Sequence, residues 1–173
     1  MPEWLITREF VCYTQAYKEG IPIYSDTVTI FNKYEDQTGA IHWYPHVLHG
    51  VDLIIDKAAN VAKTGLDSAD TANLHVKYHI VDGNKIVGDK PYLPPKEWEK
   101  QPNDDLPGSI TFASGDFFMQ GEYAEAPILD SDYANRVDGG FYDYINKRHD
   151  YVFLITTVGG PYTVIPHFEI GGK

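Results

Sequence analysis

The chain has 173 residues, a length typical of one domain and sufficient to bury a core without disulfide bonds. Its 25 acidic and 14 basic side chains give a net charge of −11. This balance argues against tight binding to nucleic acid, which needs Lys and Arg to replace the counterions of the phosphates. The single cysteine, Cys12, excludes an intramolecular disulfide bond and a cysteine-based zinc site.

The negative charge has two interpretations. It keeps a protein soluble, and it also suits a surface past which DNA slides without sticking. The N-terminus, Met1-Pro2-Glu3-Trp4, lacks the basic start and apolar run of a secretory signal. No apolar stretch of the sequence approaches the roughly 20 residues that span a bilayer. We therefore expect synthesis in a cytoplasm and no membrane partner.

Aromatic residues make up 14 % of the chain, and they favour strands. Alternating or aromatic-rich patterns predict strands, in chain order, at Trp4–Tyr17, Thr27–Tyr34, Ala40–His49 continuing as Val51–Ile55, Ala72–Val81, Ser109–Phe112, Phe117–Tyr123, Tyr151–Val158 and Tyr162–Ile170. Within the third of these, Pro45 requires an edge position or a bulge, because proline lacks the N–H that a ladder needs.

The segments between these strands are rich in Gly, Pro, Asn and Asp. They predict turns at Glu35–Gly39, Lys63–Gly65, Asp82–Asn84, Ser114–Asp116 and Gly159–Pro161. Two short helices are expected, at Pro95–Lys100, where a proline occupies the first turn, and at Phe141–Arg148. Residues 58–70, 84–107 and 124–140 are expected to be long loops. The sequence thus predicts a mainly β fold: a small barrel or sandwich with one or two short helices and long loop insertions.

Three histidines, His42, His46 and His49, lie within eight residues and are the candidate metal ligands of the chain. On a strand, residues four apart are ~13 Å from each other, too far to share one tetrahedral ion. Only a bend at Pro45 would bring them together. We therefore expect surface or interface histidines and no metal or other cofactor.

The sequence contains no recognisable catalytic arrangement. The pairs of acidic residues are flanked by Ser, Asn, Pro or Gly, a composition typical of turns and helix caps. There is no Gly-x-Ser-x-Gly motif, and Gly159-Gly160-Pro161 lacks the lysine of a phosphate-binding loop. We expect a protein that is not an enzyme.

A series of short motifs runs through most of the chain. It comprises Val28–Tyr34, Val47–Val51, Gly65-Leu66, Ala69-Asp70, Leu74–Ile80, Tyr92–Trp98, Ser114–Asp116, Gly121, Phe153–Thr156 and His167–Lys173. Their order, spacing and shared terminus resemble a family of uncharacterised tailed-phage and prophage proteins encoded in the head–tail morphogenesis region. Residues 1–26 depart from the pattern and are expected to be an N-terminal extension. Residues 27–173 are expected to form a single β-rich, connector-like domain.

The resemblance implies a structural virion protein of the phage neck: a head-closure, stopper or connector protein. Such proteins resemble small β-barrels joined into a ring, of twelvefold or sixfold symmetry, between the portal-bound adaptor and the tail-side neck proteins. Packaged DNA would pass non-specifically through its lumen. The expected location is the virion neck, after assembly in the host cytoplasm. Loops 58–70 and 84–107 would be long enough to reach the lumen or an adjacent ring.

A ring subunit needs aromatic or apolar surface for its neighbours, because one heterologous interface is repeated around the axis. The candidate interface residues are Trp43, Tyr92, Trp98, Phe141, Tyr144 and Phe168. Two alternatives remain open. One is a tail terminator or tail-completion protein, and the other is a carbohydrate-binding β domain that uses exposed aromatic residues such as Trp43, Trp98 and Tyr92.

Overall fold

The computed structural model describes residues 23–57, 59–62, 65–68 and 70–173. The strand predicted at Trp4–Tyr17, including Cys12, lies outside the described residues, as do Lys63 and Thr64 of one predicted turn.

Twelve strands are found in the described part of the chain. They are β1 (Asp26–Glu35), β2 (Ile41–Asp56), β3 (Ala59–Ala62), β4 (Gly65–Ser68), β5 (Thr71–Lys77), β6 (His79–Val81), β7 (Asn84–Val87), β8 (Lys90–Pro91), β9 (Phe117–Gln120), β10 (Ile128–Leu129), β11 (Val152–Tyr162) and β12 (His167–Gly172).

Two short α-helices accompany them, α1 (Pro95–Trp98) and α2 (Phe141–Asn146). Single turns of 3-10 helix lie at Leu106–Gly108 and Asp130–Asp132. Both predicted helices are thus confirmed, although each ends earlier than expected.

Six antiparallel strands close into a barrel in the order β1-β9-β11-β12-β5-β2, and β2 pairs with β1 to complete the circle. The short strand β10 adds to β2 outside the barrel. The prediction of a mainly β fold built on a small barrel is confirmed. Closure removes the unpaired edges that an open sheet of this size would leave.

The long strand β2 pairs with two neighbouring strands because it bends at Gly50. Residues Ile41 to Val51 pair with β1, and Asp52 to Asp56 pair with β5. The register with β1 shifts opposite Gly50, whose φ of +65° is accessible to glycine at little cost. This bulge turns the strand from one side of the barrel to the next.

Pro45 lies inside β2 without breaking its pairing to β1. Val47, two residues further on, donates its backbone N–H away from β1, to Glu125 Oε1 at 2.8 Å. Because N–H direction alternates along an antiparallel strand, the nitrogen of Pro45 also points away from β1. No ladder hydrogen bond is lost, in agreement with the expected edge position.

Strands β5 and β12 show how the barrel interior is filled. Ala72, Leu74 and Val76 alternate with more exposed residues along β5, and Phe168 and Ile170 do so along β12. These side chains join the core cluster inside the barrel, together with residues of β1, β2, β9 and β11. A period of two places one face of each strand in this core.

Two further clusters of buried residues pack α2 and α1 against strands of the barrel. Phe31, Trp43 and Phe117 are buried beneath Phe141 and Ile145 of α2. At the other site, Tyr44, Trp98 and Leu106 form a cluster that ties α1 to β2.

The loop expected at 84–107 therefore does not reach away from the molecule. It contains β7, β8 and α1, and its Trp98 is buried against Tyr34 and Tyr44 with ring centroids 6.3 and 5.8 Å apart. Burying this indole on the barrel is more favourable than leaving it in water.

Two other predicted loops also contain regular structure. Residues 58–70 include the antiparallel hairpin β3–β4, and residues 124–140 include β10 and a 3-10 turn. The predicted strand Ala72–Val81 is split at Tyr78 into β5 and β6.

The strand predicted at Ser109–Phe112 is wrong. The side chain of Asn32 makes hydrogen bonds to the backbone of Thr111 in this segment. Its Nδ2 donates to Thr111 O at 2.7 Å, and its Oδ1 accepts from Thr111 N–H at 3.3 Å. Ile110 makes only an isolated bridge to Tyr92. A side chain here replaces the ladder that the sequence pattern suggested.

The turn predicted at Gly159–Pro161 is also wrong, because these residues belong to β11 and the chain reverses at 163–166. The hairpin of β11 with β12 is confirmed, but it is longer than expected. Its register is irregular between Gly159 and Tyr162, so the glycines accommodate a distortion inside the strand.

Candidate functional site

Four of the six aromatic residues expected at an interface lie in the protein's own core. Trp43, Trp98, Phe141 and Phe168 are all buried. Their assignment to an interface is therefore wrong, because a side chain without solvent access cannot contact a neighbouring subunit. Each ring has found partners within the chain, as aromatic side chains of this size usually do.

The other two, Tyr92 and Tyr144, are half-buried. The ring of Tyr92 lies 4.5 Å from that of Phe168, at the edge of the barrel core. The ring of Tyr144 lies 3.9 Å from the guanidinium carbon of Arg148, in a cation–π arrangement. Each presents at most one face to solvent.

Among the described residues, three exposed apolar side chains lie together at the end of the β11–β12 hairpin, which we call the hairpin tip (Tyr162–Ile165). Val164 is 97 % exposed, Ile165 62 % and Tyr162 45 %. A groove of about 410 Å³ runs across it and is lined also by Pro161 and His167. Isolated exposed apolar residues are common on proteins, but a contiguous exposed group typically marks a binding surface.

The base of the hairpin tip is held firmly to the barrel. Tyr78 donates its hydroxyl to Tyr162 O at 2.7 Å, and its backbone N–H donates to Pro166 O at 3.3 Å. The rings of Tyr162 and His167 lie 5.0 Å apart across the hairpin. The tip is therefore presented on an anchored support, while its apolar side chains face solvent.

A second exposed apolar group lies next along the chain from Tyr78. Ile80 is 56 % exposed, and its neighbour Val81 is also exposed, on β6. Strand β6 pairs with β7 on one side, and no described strand pairs with its other edge. Since Tyr78 contacts the hairpin tip and leads directly into β6, the two apolar groups are connected through this residue.

The two most exposed side chains of the hairpin tip, Val164 and Ile165, are aliphatic, so a prediction based on large aromatic residues does not find them. The available signal was the run from Thr157 to Pro166, ten residues without a charged side chain in a chain that is 23 % charged. A charge-free run at the turn of a hairpin is unusual, because turns normally face water.

The three candidate metal-binding histidines lie at separate points along β2. His42 Nε2 is 3.0 Å from Asp36 Oδ2, His46 is buried, and His49 Nδ1 is 3.1 Å from the hydroxyl of Thr27 on the surface. In the described part of the chain, no group of three or more His, Cys, Asp or Glu side chains is placed to hold a metal ion. Each histidine instead has its own environment.

His46, which is buried, belongs to a small polar network that extends to the surface. Lys90 Nζ lies 2.9 Å from His46 Nδ1 and donates to Glu125 Oε1 at 3.1 Å. Burial, and then the charge of Lys90, lower the pKa of His46 to about 3. The imidazole is therefore neutral, with Nδ1 as acceptor, and its buried Nε2 has no hydrogen-bond partner among the described residues.

Asp116 forms a second buried polar group, at the turn before β9. Its carboxylate accepts hydrogen bonds from the side chain of Asn32 at 2.9 Å and from the backbone N–H groups of Lys33 and Ala113 at 2.9 and 3.0 Å. Burial raises the pKa of Asp116 to about 7, although all three hydrogen bonds act in the opposite direction. These donors join β1 to the turn before β9, which is a structural role.

A cleft of about 350 Å³ beside α2 carries two carboxylates, Asp130 and Asp143, near Trp43 and Lys33. Asp130 Oδ1 accepts from Trp43 Nε1 at 2.7 Å and from Phe141 N–H at 2.9 Å. Asp143 accepts from the N–H of Gly139 at 3.1 Å. Both acids thus hold the backbone at the start of α2.

The only adjacent pair of basic residues in the sequence, Lys147-Arg148, shares one acidic partner within the structure. Asp138 lies 3.6 Å from Lys147 Nζ and 3.1 Å from Arg148 Nη1. One carboxylate beside two cations balances only one of them, so this site offers a phosphate backbone a single unbalanced positive charge.

Among the residues that the structure describes, no helix combines the length and the apolar composition needed to cross a membrane.

Comparison with known proteins gives one match. The profile of a family described as a family of unknown function (DUF6751) matches residues 23–173. No curated protein and no solved structure matches the chain.

Proposed function

The chain belongs to DUF6751, a family of unknown function, and we propose that it is a structural protein of the neck of a tailed-phage virion. It forms a head-closure or stopper ring between the portal-bound adaptor and the tail-side neck proteins. Packaged DNA passes through the lumen without sequence-specific contacts. The proposal derives from the order of motifs between Val28 and Lys173 and is supported by the surfaces described above.

The observation that carries the proposal is the exposed hairpin tip on a barrel filled by its own side chains. Val164 and Ile165 remain in water although the hairpin beneath them is anchored by Tyr78. A protein subunit that covers them would remove apolar surface from water, at about 25 cal/mol per Å². A structural subunit that assembles with other proteins needs such a surface.

The charge of the chain agrees with a DNA passage. The net charge of the chain is −11, and Asp138 balances one of the two adjacent cations Lys147 and Arg148. A lumen that retained DNA through many Lys–phosphate contacts would slow its ejection. An acidic ring would let the duplex pass.

The direct test is immunolabelling of virions that contain this protein, viewed by negative-stain electron microscopy. We expect gold label at the head–tail junction. Antibody preabsorbed with the purified protein is the control for non-specific label. Label on fibres or on the baseplate, or no label above this control on disrupted virions, would contradict the proposal.

A tail terminator or tail-completion protein is the nearest alternative, because it would use the same kind of assembly surface. Tailless heads and isolated tails separate the two functions. A stopper labels the tailless heads, whereas a tail terminator labels one end of the isolated tails.

The carbohydrate-binding alternative loses most of its basis. It depends on exposed aromatic faces at Trp43, Trp98 and Tyr92, but Trp43 and Trp98 are buried and Tyr92 packs against Phe168. A carbohydrate microarray tests what remains of it. We also propose that the chain has no catalytic role. Substitution of His46 or Asp116 in an assembled particle should therefore change no catalytic rate.

A further inference from the structure

Val164 and Ile165 of the hairpin tip are exposed, and the chemistry of the tip limits what can cover it. The run from Thr157 to Pro166 carries no charged side chain, and its exposed large side chains, Tyr162, Val164 and Ile165, are apolar, although Thr157 and Thr163 are exposed too. A partner rich in apolar side chains fits this surface, because burial of apolar groups is the main favourable term available there.

The tip also has an open backbone edge. Strand β9 pairs with β11 only at Val152–Leu154, and the backbone of Ile155 bonds to Gly115 and Asp116. From Thr157 to Tyr162 the described strand partner is β12 alone. The outer edge of β11 near the tip is therefore free to pair with an added strand. Addition of a strand to such an edge provides backbone hydrogen bonds together with side-chain contacts.

The first described residues of the chain lie beside this surface. The ring of Tyr24 lies 3.6 Å from Lys77 Nζ. Lys77 is the last residue of β5 and pairs with His167, where β12 begins after the tip. The described part of the chain thus begins on the side of the barrel where the hairpin tip projects.

The sequence of that segment suits the tip. It contains Trp4-Leu5-Ile6 and the run Phe10-Val11-Cys12-Tyr13, which are aromatic, β-branched and apolar. Such residues favour strands and bury well against apolar surface. A 22-residue segment reaches about 70 Å when extended, which is enough to span to an adjacent subunit.

A closed ring requires two different patches on the same chain, one of which binds the other on the next subunit. We propose that residues 4–17 of one copy dock on the hairpin tip of a neighbouring copy and add to the free edge of β11. This inference rests on the proposed ring function, which supplies the neighbouring copy. Residues 4–17, which we call the arm, and the hairpin tip then form the repeated head-to-tail contact of the ring.

The single cysteine of the chain, Cys12, lies within the arm and allows a specific crosslinking test on the full-length protein. The wild-type chain is mixed with a differently tagged Cys12→Ser/Val164→Cys chain, and a short thiol-to-thiol crosslinker is added. Only a contact between the arm of one copy and the tip of another gives the mixed product. The same experiment with Ile165→Cys allows for a difference in register.

Cys12→Ser/Val137→Cys is the matched control, because Val137 is also an exposed valine, 67 % exposed, beside α2 and far along the chain from the tip. We expect a severalfold higher yield of mixed product with position 164 or 165 than with position 137. Equal yields at all three positions would overturn the inference. An internal crosslink as the main product of a chain carrying both Cys12 and Val164→Cys would also overturn it, since the arm would then cover its own tip.

The crosslinking experiment and the virion labelling test the two proposals separately. Label at the neck with no arm–tip crosslink leaves the proposed function standing and removes the arm exchange. A strong crosslink with label elsewhere on the virion leaves the arm exchange standing and removes the neck assignment.

Discussion

Two ionisable side chains, His46 and Asp116, are buried in or beside the barrel, and burial shifts their pKa values in opposite directions. For both groups the shift disfavours the charged form. The pKa of His46 is lowered to about 3, so its contribution to stability is present above pH 6.5 and is lost as the pH falls towards 3. The pKa of Asp116 is raised to about 7, so its contribution is present below pH 3.8 and is lost as the pH rises towards 7.

The first prediction concerns His46. Between pH 6.5 and 4 the unfolded chain binds a proton at this residue that the folded chain does not, which costs at most about 1.4 kcal/mol per pH unit. His46→Gln removes this dependence, so its free energy of unfolding should fall less steeply with acid than that of the wild type. Urea titrations from pH 7 to pH 4 measure the slopes. The exposed His79→Gln is the control, and identical slopes for wild type and His46→Gln would refute the prediction.

The second prediction concerns Asp116. An asparagine here turns an amide N–H₂ towards the donors of Asn32, Lys33 or Ala113, leaving buried donors without acceptors. We expect Asp116→Asn to reduce the free energy of unfolding by about 1–3 kcal/mol at pH 4. The cost should shrink towards pH 7, where the wild-type contribution is lost. Urea unfolding at both pH values measures it, with the exposed Asp104→Asn as control; a cost that does not change with pH would exclude the raised pKa.

At the scale of elements, α2 depends on the glycine that precedes it. Gly140 has a φ of +155°, and a Cβ atom there would lie 2.5 Å from Asp130 Oδ2. That carboxylate is the group that accepts hydrogen bonds from Phe141 and Trp43. The start of α2 and the aromatic cluster beneath it are therefore linked through one acid and one glycine.

The third prediction follows from this link. Gly140→Ala should destabilise the protein by about 1–3 kcal/mol, because alanine is strained at this backbone angle and displaces Asp130. Gly108→Ala is the control, since Gly108 has no left-handed φ and no atom within 4 Å of an added Cβ. Thermal unfolding of the two variants should differ. Equal melting temperatures would show that the local structure adapts to a side chain at position 140.

The fourth prediction concerns α1, which holds the long loop 84–107 to the barrel through Trp98. Removal of this buried indole in Trp98→Ala should cost about 3–5 kcal/mol. Trp98→Phe keeps a ring against Tyr34 and Tyr44 and loses the 3.3 Å hydrogen bond to Ser109 O, so a smaller cost of about 1 kcal/mol is expected. Chemical unfolding ranks the two variants; a similar cost for both would mean that the hydrogen bond, and not the packing, holds the loop.

At the scale of the whole molecule, stability and assembly are carried by different surfaces. The barrel is stabilised by its interior cluster and by the two clusters beneath α2 and α1. The hairpin tip contributes little to these cores because its apolar side chains face solvent. Changes at the tip should therefore affect association and leave the fold intact.

The fifth prediction tests this separation. The double variant Val164→Asp/Ile165→Asp should unfold within about 0.5 kcal/mol of the wild type, because both side chains are exposed. Its self-association, measured by sedimentation velocity over a concentration series, should be weaker than that of the wild type. Val137→Asp, at the other exposed valine, is the control. Unchanged association of the double variant would show that the tip is not an assembly surface.

Much of the fold was predictable from local patterns. The strand at Thr27–Tyr34, the Asp82-Gly83 turn and the short helices were all correct, because strand patterns and positive-φ turn residues act within a few neighbouring residues. The half-buried character of that strand was wrong, since residues 28–32 are buried on both faces. The interface residues were not predictable in the same way. Trp43 and Phe141 look alike in sequence whether they face a neighbour or a core, and only contacts between distant segments make them core residues.

The sequence by itself determined a β-rich, acidic chain without a catalytic motif, since composition and local spacing suffice for these properties. Tertiary structure alone decided three other features: the closure of the barrel through the bend at Gly50, the replacement of a predicted strand by hydrogen bonds from Asn32, and the exposure of Val164 and Ile165. The physical reason is that burial and long-range pairing depend on which distant segments meet. These long-range contacts decide whether an apolar side chain lies in the core or at the surface.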